Sequence, residues 1–79
     1  MKLTVRYFAM LREQVGASQE EVETTAKTPA ELFEELVQAH GLTIDLKALK
    51  VAVNEDFVPM EHALSDGDAV VFIPPVAGG

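Results

Sequence analysis

Between Lys2 and Ala9 apolar and polar side chains alternate, with Leu3, Val5 and Tyr7 on one side and Lys2, Thr4, Arg6 and Phe8 on the other. A period of two is that of a strand with one buried face, and Phe8 is the apolar exception on the polar side. Met10 to Val15 is short for a helix, and Gly16-Ala17-Ser18 reads as the turn out of it. Gln19 to Thr25 predicts a polar second strand at a sheet edge, with Val22 as its main apolar contact. The clearest signal runs from Pro29 to His40. Thr28 and Glu31 make a capping box, Pro29 sits where a missing N–H does no harm, and Gly41 can end the helix in a left-handed conformation. Leu32, Phe33, Leu36 and Val37 form one apolar stripe, which predicts a helix packed on a sheet. Leu42 to Leu49 follows neither period. Lys50 to Val53 alternates again, Asn54-Glu55-Asp56 has tight-turn composition, and Phe57-Val58-Pro59 completes a short hairpin. Ser65-Asp66-Gly67-Asp68 is a turn in which the glycine is expected at positive φ. It leads into Ala69-Val70-Val71-Phe72-Ile73, apolar on both faces as a central strand is, and Pro74-Pro75 then stops the sheet.

The predicted order is strand, strand, helix, strand, short hairpin, strand. A first and a last strand that are both apolar and are joined through a helical crossover should pair in parallel at the centre of a mixed sheet. That is the α+β architecture of the β-grasp, or ubiquitin-like, fold: about five strands packed on one main helix. Doubly wound folds need more chain, and a split ferredoxin-like fold needs a second full helix. The expectation is a single domain over residues 1–79, with 74–79 as an extended C-terminal tail.

Composition narrows the function. A chain of 79 residues leaves no room for a deep catalytic cleft, so catalysis by this chain alone is not expected. Thirteen Asp and Glu against six Lys and Arg give a net charge of −7, which disfavours nucleic acid and anionic membrane as partners. With no cysteine there is no disulfide, thiolate metal site or thiol nucleophile, so any sulfur the protein handles must be borrowed. The N-terminus lacks the apolar run of a signal peptide and no segment approaches membrane-spanning length, so a cytoplasmic protein is expected.

Beyond Ile73 the sequence is Pro74-Pro75-Val76-Ala77-Gly78-Gly79. Two prolines make a stiff, extended exit, and the small residues after them make a thread thin enough for a narrow channel in another protein. Gly79 offers a terminal carboxylate with no side chain crowding its carbonyl. Such a group becomes an acyl donor once an oxygen is replaced by a better leaving group, for which adenylation by a nucleotide-using partner suffices.

Three segments carry a resemblance over essentially the whole chain: Tyr7-Phe8-Ala9-Met10-Leu11-Arg12-Glu13, Leu64-Ser65-Asp66-Gly67-Asp68, and Phe72-Ile73-Pro74-Pro75-Val76-Ala77-Gly78-Gly79. Together they resemble the small subunits of molybdopterin synthase, the MoaD type of ubiquitin-like sulfur carrier. The resemblance implies that the Gly79 carboxyl group is adenylated from ATP on an E1-like activating enzyme and converted to a thiocarboxylate by a sulfurtransferase donor. It further implies that the loaded tail enters the large catalytic subunit and passes sulfur to a cyclic pyranopterin monophosphate, building the molybdopterin dithiolene within a heterotetramer. The small subunit itself would bind no cofactor. Two alternatives share the fold and the Gly-Gly end: a thiamin-pathway sulfur carrier, and a ubiquitin-like modifier that forms isopeptide bonds through Gly79.

Several side chains are candidates for the partner surface. Phe8 stands on a polar strand face, and Phe57 near the hairpin and Ile73 before the prolines can extend the same patch. Arg12, opposite in sign to most of the surface, can pair with an acidic group on the large subunit, as readily as it can remain a solvated charge beside Glu13. Pro74, Pro75, Val76 and Ala77 would follow the tail into the partner, with Gly78 and Gly79 at the reacting end. His40 and His62 have no second ligand at metal spacing, so no metal site is expected. Glu20, Glu21, Glu23, Glu34 and Glu35 read as solvated faces, and Met10 and Met60 as packing residues.

Overall fold

The computed structural model describes residues 1–75. The expectations placed on Val76, Ala77, Gly78 and Gly79 lie outside the described residues. The elements are β1 (Lys2–Tyr7), α1 (Ala9–Val15), β2 (Gln19–Glu23), α2 (Pro29–His40), a 3₁₀ turn (Leu46–Ala48), β3 (Lys50–Val53), β4 (Asp56–Val58) and β5 (Ala69–Ile73). The five strands form one mixed sheet in the order β2-β1-β5-β3-β4. β1 and β5 pair in parallel at its centre, as their apolar composition predicts, and every other pairing is antiparallel.

One face of the sheet is closed by the two α-helices. Leu3, Val5, Tyr7, Val51, Val70 and Phe72 point into it and are essentially solvent-free, packed with Leu11 of α1 and Leu32, Phe33 and Leu36 of α2. Phe33 and Phe72 meet with ring centroids 5.1 Å apart. Each such side chain contributes about 1.5–3 kcal/mol relative to exposure, so this layer carries the fold.

The helix ends follow from local chemistry. At the start of α2, Thr28 Oγ1 accepts the amide of Glu31 at 3.2 Å, and the Glu31 carboxylate accepts the amide of Lys27 at 2.9 Å, one residue before the position of a standard capping box. At its end, Gly41 adopts φ 68° and donates its N–H to Val37 O at 2.8 Å. α1 is a true helix despite its length, and it changes where β1 stops. The alternation suggested a strand reaching Ala9, but Ala9 has φ 50° and turns the chain straight into α1, so pairing ends at Tyr7. β2 likewise stops at Glu23: Thr24 is buried, its hydroxyl donating to Glu35 at 2.6 Å and accepting the amide of Ala26 at 2.9 Å. In the unassigned stretch after α2, Asp45 caps the 3₁₀ turn by accepting the amide of Lys47 at 2.9 Å.

The end of the sheet where β5 begins is held by a dense polar network. Gly67, at φ 87°, donates to Lys2 O at 2.8 Å, and the amide of Lys2 donates to Asp66 at 2.7 Å. Asp68 accepts the Ser65 amide at 2.8 Å and the Asn54 side-chain amide at 2.9 Å, which ties the β3–β4 turn to the same point. Asn54 and Glu55 both have positive φ, the geometry that a two-residue hairpin turn requires.

Candidate functional site

Among the described residues no helix lies over the other face of the sheet, and the strand pairings fix which residues share it. Gln19, Arg6, Val71, Ala52 and Phe57 stand side by side in one row crossing all five strands. The adjacent row, nearer the chain's exit, pairs Ile73 with Lys50. Phe8, still extended at φ −125° and ψ 155°, continues the alternation of β1 beside this row.

This face exposes large apolar groups. Phe57 is 70% exposed and Phe8 47%, while Val71 and Ile73 are half-buried and Ala52 is shielded beneath its neighbours. An apolar patch of this kind on a small fold is what a partner would bury. The expectations for Phe8, Phe57 and Ile73 therefore meet on one face. Arg12 is exposed on α1, one turn beyond Phe8 and beside Glu13. Met10 corrects the sequence reading: it is 43% exposed on α1, whereas Met60 packs against the core as expected.

The tail leaves from the same end. Pro74 is buried against the body and Pro75 is exposed. Both line a shallow depression with Ala48, Lys50 and Ile73. The strained Ala9 stands at this end too. A left-handed conformation costs a non-glycine residue about 1–2 kcal/mol, and here it turns the chain into α1 immediately after Phe8, leaving that ring at the rim.

The polar residues of the closed face behave otherwise than expected. Glu20 is not a solvated carboxylate: it accepts the Tyr7 hydroxyl and contacts His40 Nε2 at 2.7 Å, joining β1, β2 and the end of α2. Burial first, then the hydrogen bond and charge of Glu20, push the Tyr7 phenol above its ordinary range. His40 is therefore a structural partner, and Glu35 is likewise occupied by Thr24. Among the described residues no group of His, Cys, Asp and Glu is placed to hold a metal ion, and no helix is long and apolar enough to cross a membrane.

Sequence reasoning set Arg6 on the same side of its strand as Phe8 but missed Lys50, Val71 and Ala52 as members of the open face. Their own strands alternate, which was the available signal, but only the strand register shows that they adjoin one another.

Comparison with known proteins identifies the family. Residues 5–79 match the ThiS family. The chain is 35% identical over 80 residues to the molybdopterin synthase sulfur carrier subunit of Haemophilus influenzae, covering 98% of this chain and 99% of that one. Among solved structures, it is similar to SAMP1 from Haloferax volcanii, with a TM-score of 0.79, 25% identity and 100% of both chains covered. It is also similar to a chain in the complex of subunits 1 and 2 of molybdopterin-converting factor from Helicobacter pylori, with a TM-score of 0.69, 28% identity and 100% of both chains covered.

Proposed function

The chain belongs to the ThiS family, and on that premise we propose that it is the sulfur-carrier subunit of molybdopterin synthase, a non-catalytic partner whose working group is the carboxylate of Gly79. The observation that carries this reading is the full-length match to a molybdopterin synthase carrier. The family match itself runs through the Val76-Ala77-Gly78-Gly79 segment.

In this reading the body and the tail divide the work. The body docks through the open face, with Phe8, Phe57 and Ile73 as apolar anchors and Arg12 at the rim. The tail delivers the reacting end. The four residues beyond Pro75 reach at most about 14 Å, which lets a terminus rooted beside the docking face enter a site in the bound partner. An E1-like enzyme adenylates Gly79 from ATP, a sulfurtransferase donor replaces the adenylate with sulfur, and the large subunit takes the thiocarboxylate for transfer to the pyranopterin. The carrier needs no resident cofactor for these steps, because the sulfur is bonded to its own terminus. Dependence on ATP fits a cytoplasmic setting.

Genetic complementation tests the assignment. The gene should restore molybdoenzyme activity to a strain lacking its molybdopterin synthase carrier and should leave a strain lacking its thiamin carrier dependent on thiamin. The reverse pattern would move the chain to the thiamin pathway.

A further inference from the structure

We infer that Arg6 and Lys50 select and orient the protein that covers the open face, by requiring that this partner present carboxylates around an apolar centre. The inference rests on the carrier reading above and specifies the surface its partner must bring.

The first observation is one of sign. The chain carries thirteen acidic residues and six basic ones, yet the two rows beside the tail root hold Arg6 and Lys50 and no carboxylate. The acidic residues of β2 that share this face, Glu21 and Glu23, pair with Thr4 and Lys2, farther toward the opposite end. The second observation concerns partners. Both cations are exposed, and among the described residues neither makes an ion pair or a side-chain hydrogen bond, whereas the N-terminal ammonium contacts Glu23 at 3.8 Å and His40 contacts Glu20 at 2.7 Å. Within the described residues the fold makes no use of these two charges.

The third observation is position. Arg6 adjoins Val71 across the β1–β5 pairing, and Lys50 adjoins Ile73 across the β3–β5 pairing. Strand spacing and rise put their Cα atoms roughly 12 Å apart, with the two apolar residues between them. A surface that covers Val71, Ile73 and Phe57 must therefore remove water from both cations. Desolvating an ammonium or guanidinium without a counter-charge is strongly unfavourable, so a neutral or basic surface is rejected and a carboxylate-bearing one accepted. The net charge of −7 opposes acidic proteins in general, which confines the attraction to a partner whose acids meet these two positions.

The test uses the full-length carrier and the molybdopterin synthase large subunit from the same organism. Affinity and association rate are measured at low and high ionic strength for Arg6→Gln, Lys50→Gln and Lys27→Gln. Lys27→Gln makes the same change in net charge just ahead of α2, away from the open face. The two open-face variants should each weaken binding about tenfold at low salt, with the difference shrinking as salt rises, while their melting temperatures stay at the wild-type value. Lys27→Gln should bind as wild type, and Arg6→Lys and Lys50→Arg should retain affinity. Equal weakening by Lys27→Gln would show that net charge alone acts and would overturn the proposal. So would unchanged binding by Arg6→Gln and Lys50→Gln when Phe57→Asp abolishes it; the open face would then dock without these cations. Normal binding by Phe57→Asp would instead remove the open face as the docking surface, leaving the sulfur-carrying role of Gly79 to its own assay.

Discussion

The two faces of this sheet are made from the same strands, residue by residue in alternation, yet they meet opposite demands. On the closed face Leu3, Val5, Tyr7, Val70 and Phe72 are removed from water and locked against two helices. On the open face Arg6, Val71, Ile73, Lys50 and Phe57 remain wholly or partly accessible. The apolar groups on the first face are the core. Those on the second have no covering element within the described residues, and they surround the point where the tail departs. The contrast teaches that hydrophobicity along a strand does not by itself distinguish stability from recognition. What distinguishes them is whether the fold supplies its own cover.

Truncation on each face should separate the two roles most sharply. Phe72 is completely buried and packs on Phe33, so Phe72→Ala should cost about 3–5 kcal/mol, enough to leave a domain of this size partly unfolded in a denaturant titration. Phe57→Ala should change stability by no more than about 0.5 kcal/mol while costing about 2 kcal/mol in affinity for the large subunit. A Phe57→Ala protein that melts early would place that ring among the groups sustaining the fold and erase the contrast.

The turn that feeds β5 serves both faces at once. Gly67→Val should destabilise by about 1–2 kcal/mol, because φ 87° opposes a β-branched residue while nothing lies within 4 Å of the added Cβ. The loss is thus one of backbone conformation, and Gly67→Ala should show most of it. If valine left the melting temperature unchanged, the left-handed turn would not exist in solution.

The smallest effect is confined to the closed face and to alkaline pH. Burial and Glu20 hold the Tyr7 phenol protonated above its ordinary range, whereas the unfolded chain releases that proton near pH 10. Above that pH the unfolded state binds fewer protons than the native state. The stability associated with neutral Tyr7 is therefore complete below about pH 10 and declines as pH rises beyond it. Tyr7→Phe should flatten this alkaline decline in a melting-temperature profile. An identical slope in both proteins would mean that the phenol ionises as freely when folded as when unfolded.

Much of this arrangement was legible beforehand, for identifiable reasons. Thr28, Pro29, Glu31 and Gly41 specify α2 through contacts with their own neighbours, and Gly67 marks its turn through its own backbone freedom; such signals survive without tertiary knowledge. The end of β1 was misread because Ala9 carries no mark of a left-handed residue. Its φ of 50° is imposed by the chain around it. The Glu20 partnership with Tyr7 and His40 joins three elements, and no spacing along the chain reveals it. The open face was half-read: Phe8, Phe57 and Ile73 are conspicuous because each is a large apolar group near an element's end. Arg6 and Lys50 look like ordinary solvated charges until the register places them around Val71 and Ile73.

The central claim is that the Gly79 carboxylate carries the sulfur, and intact mass spectrometry tests it most directly. Wild-type carrier and a variant lacking Gly79 are incubated with activating enzyme, ATP and a sulfur donor, after circular dichroism has shown that both are folded. The closed face is complete before the tail begins, so deletion should leave folding unchanged, while a one-residue shift of about 3.3 Å removes the terminal carbonyl from the position that reaction requires. The account predicts that the wild-type mass rises by the exchange of one oxygen for one sulfur and that the shortened protein stays unmodified. Equal loading of the shortened protein, or a wild-type protein that never gains sulfur, would contradict it.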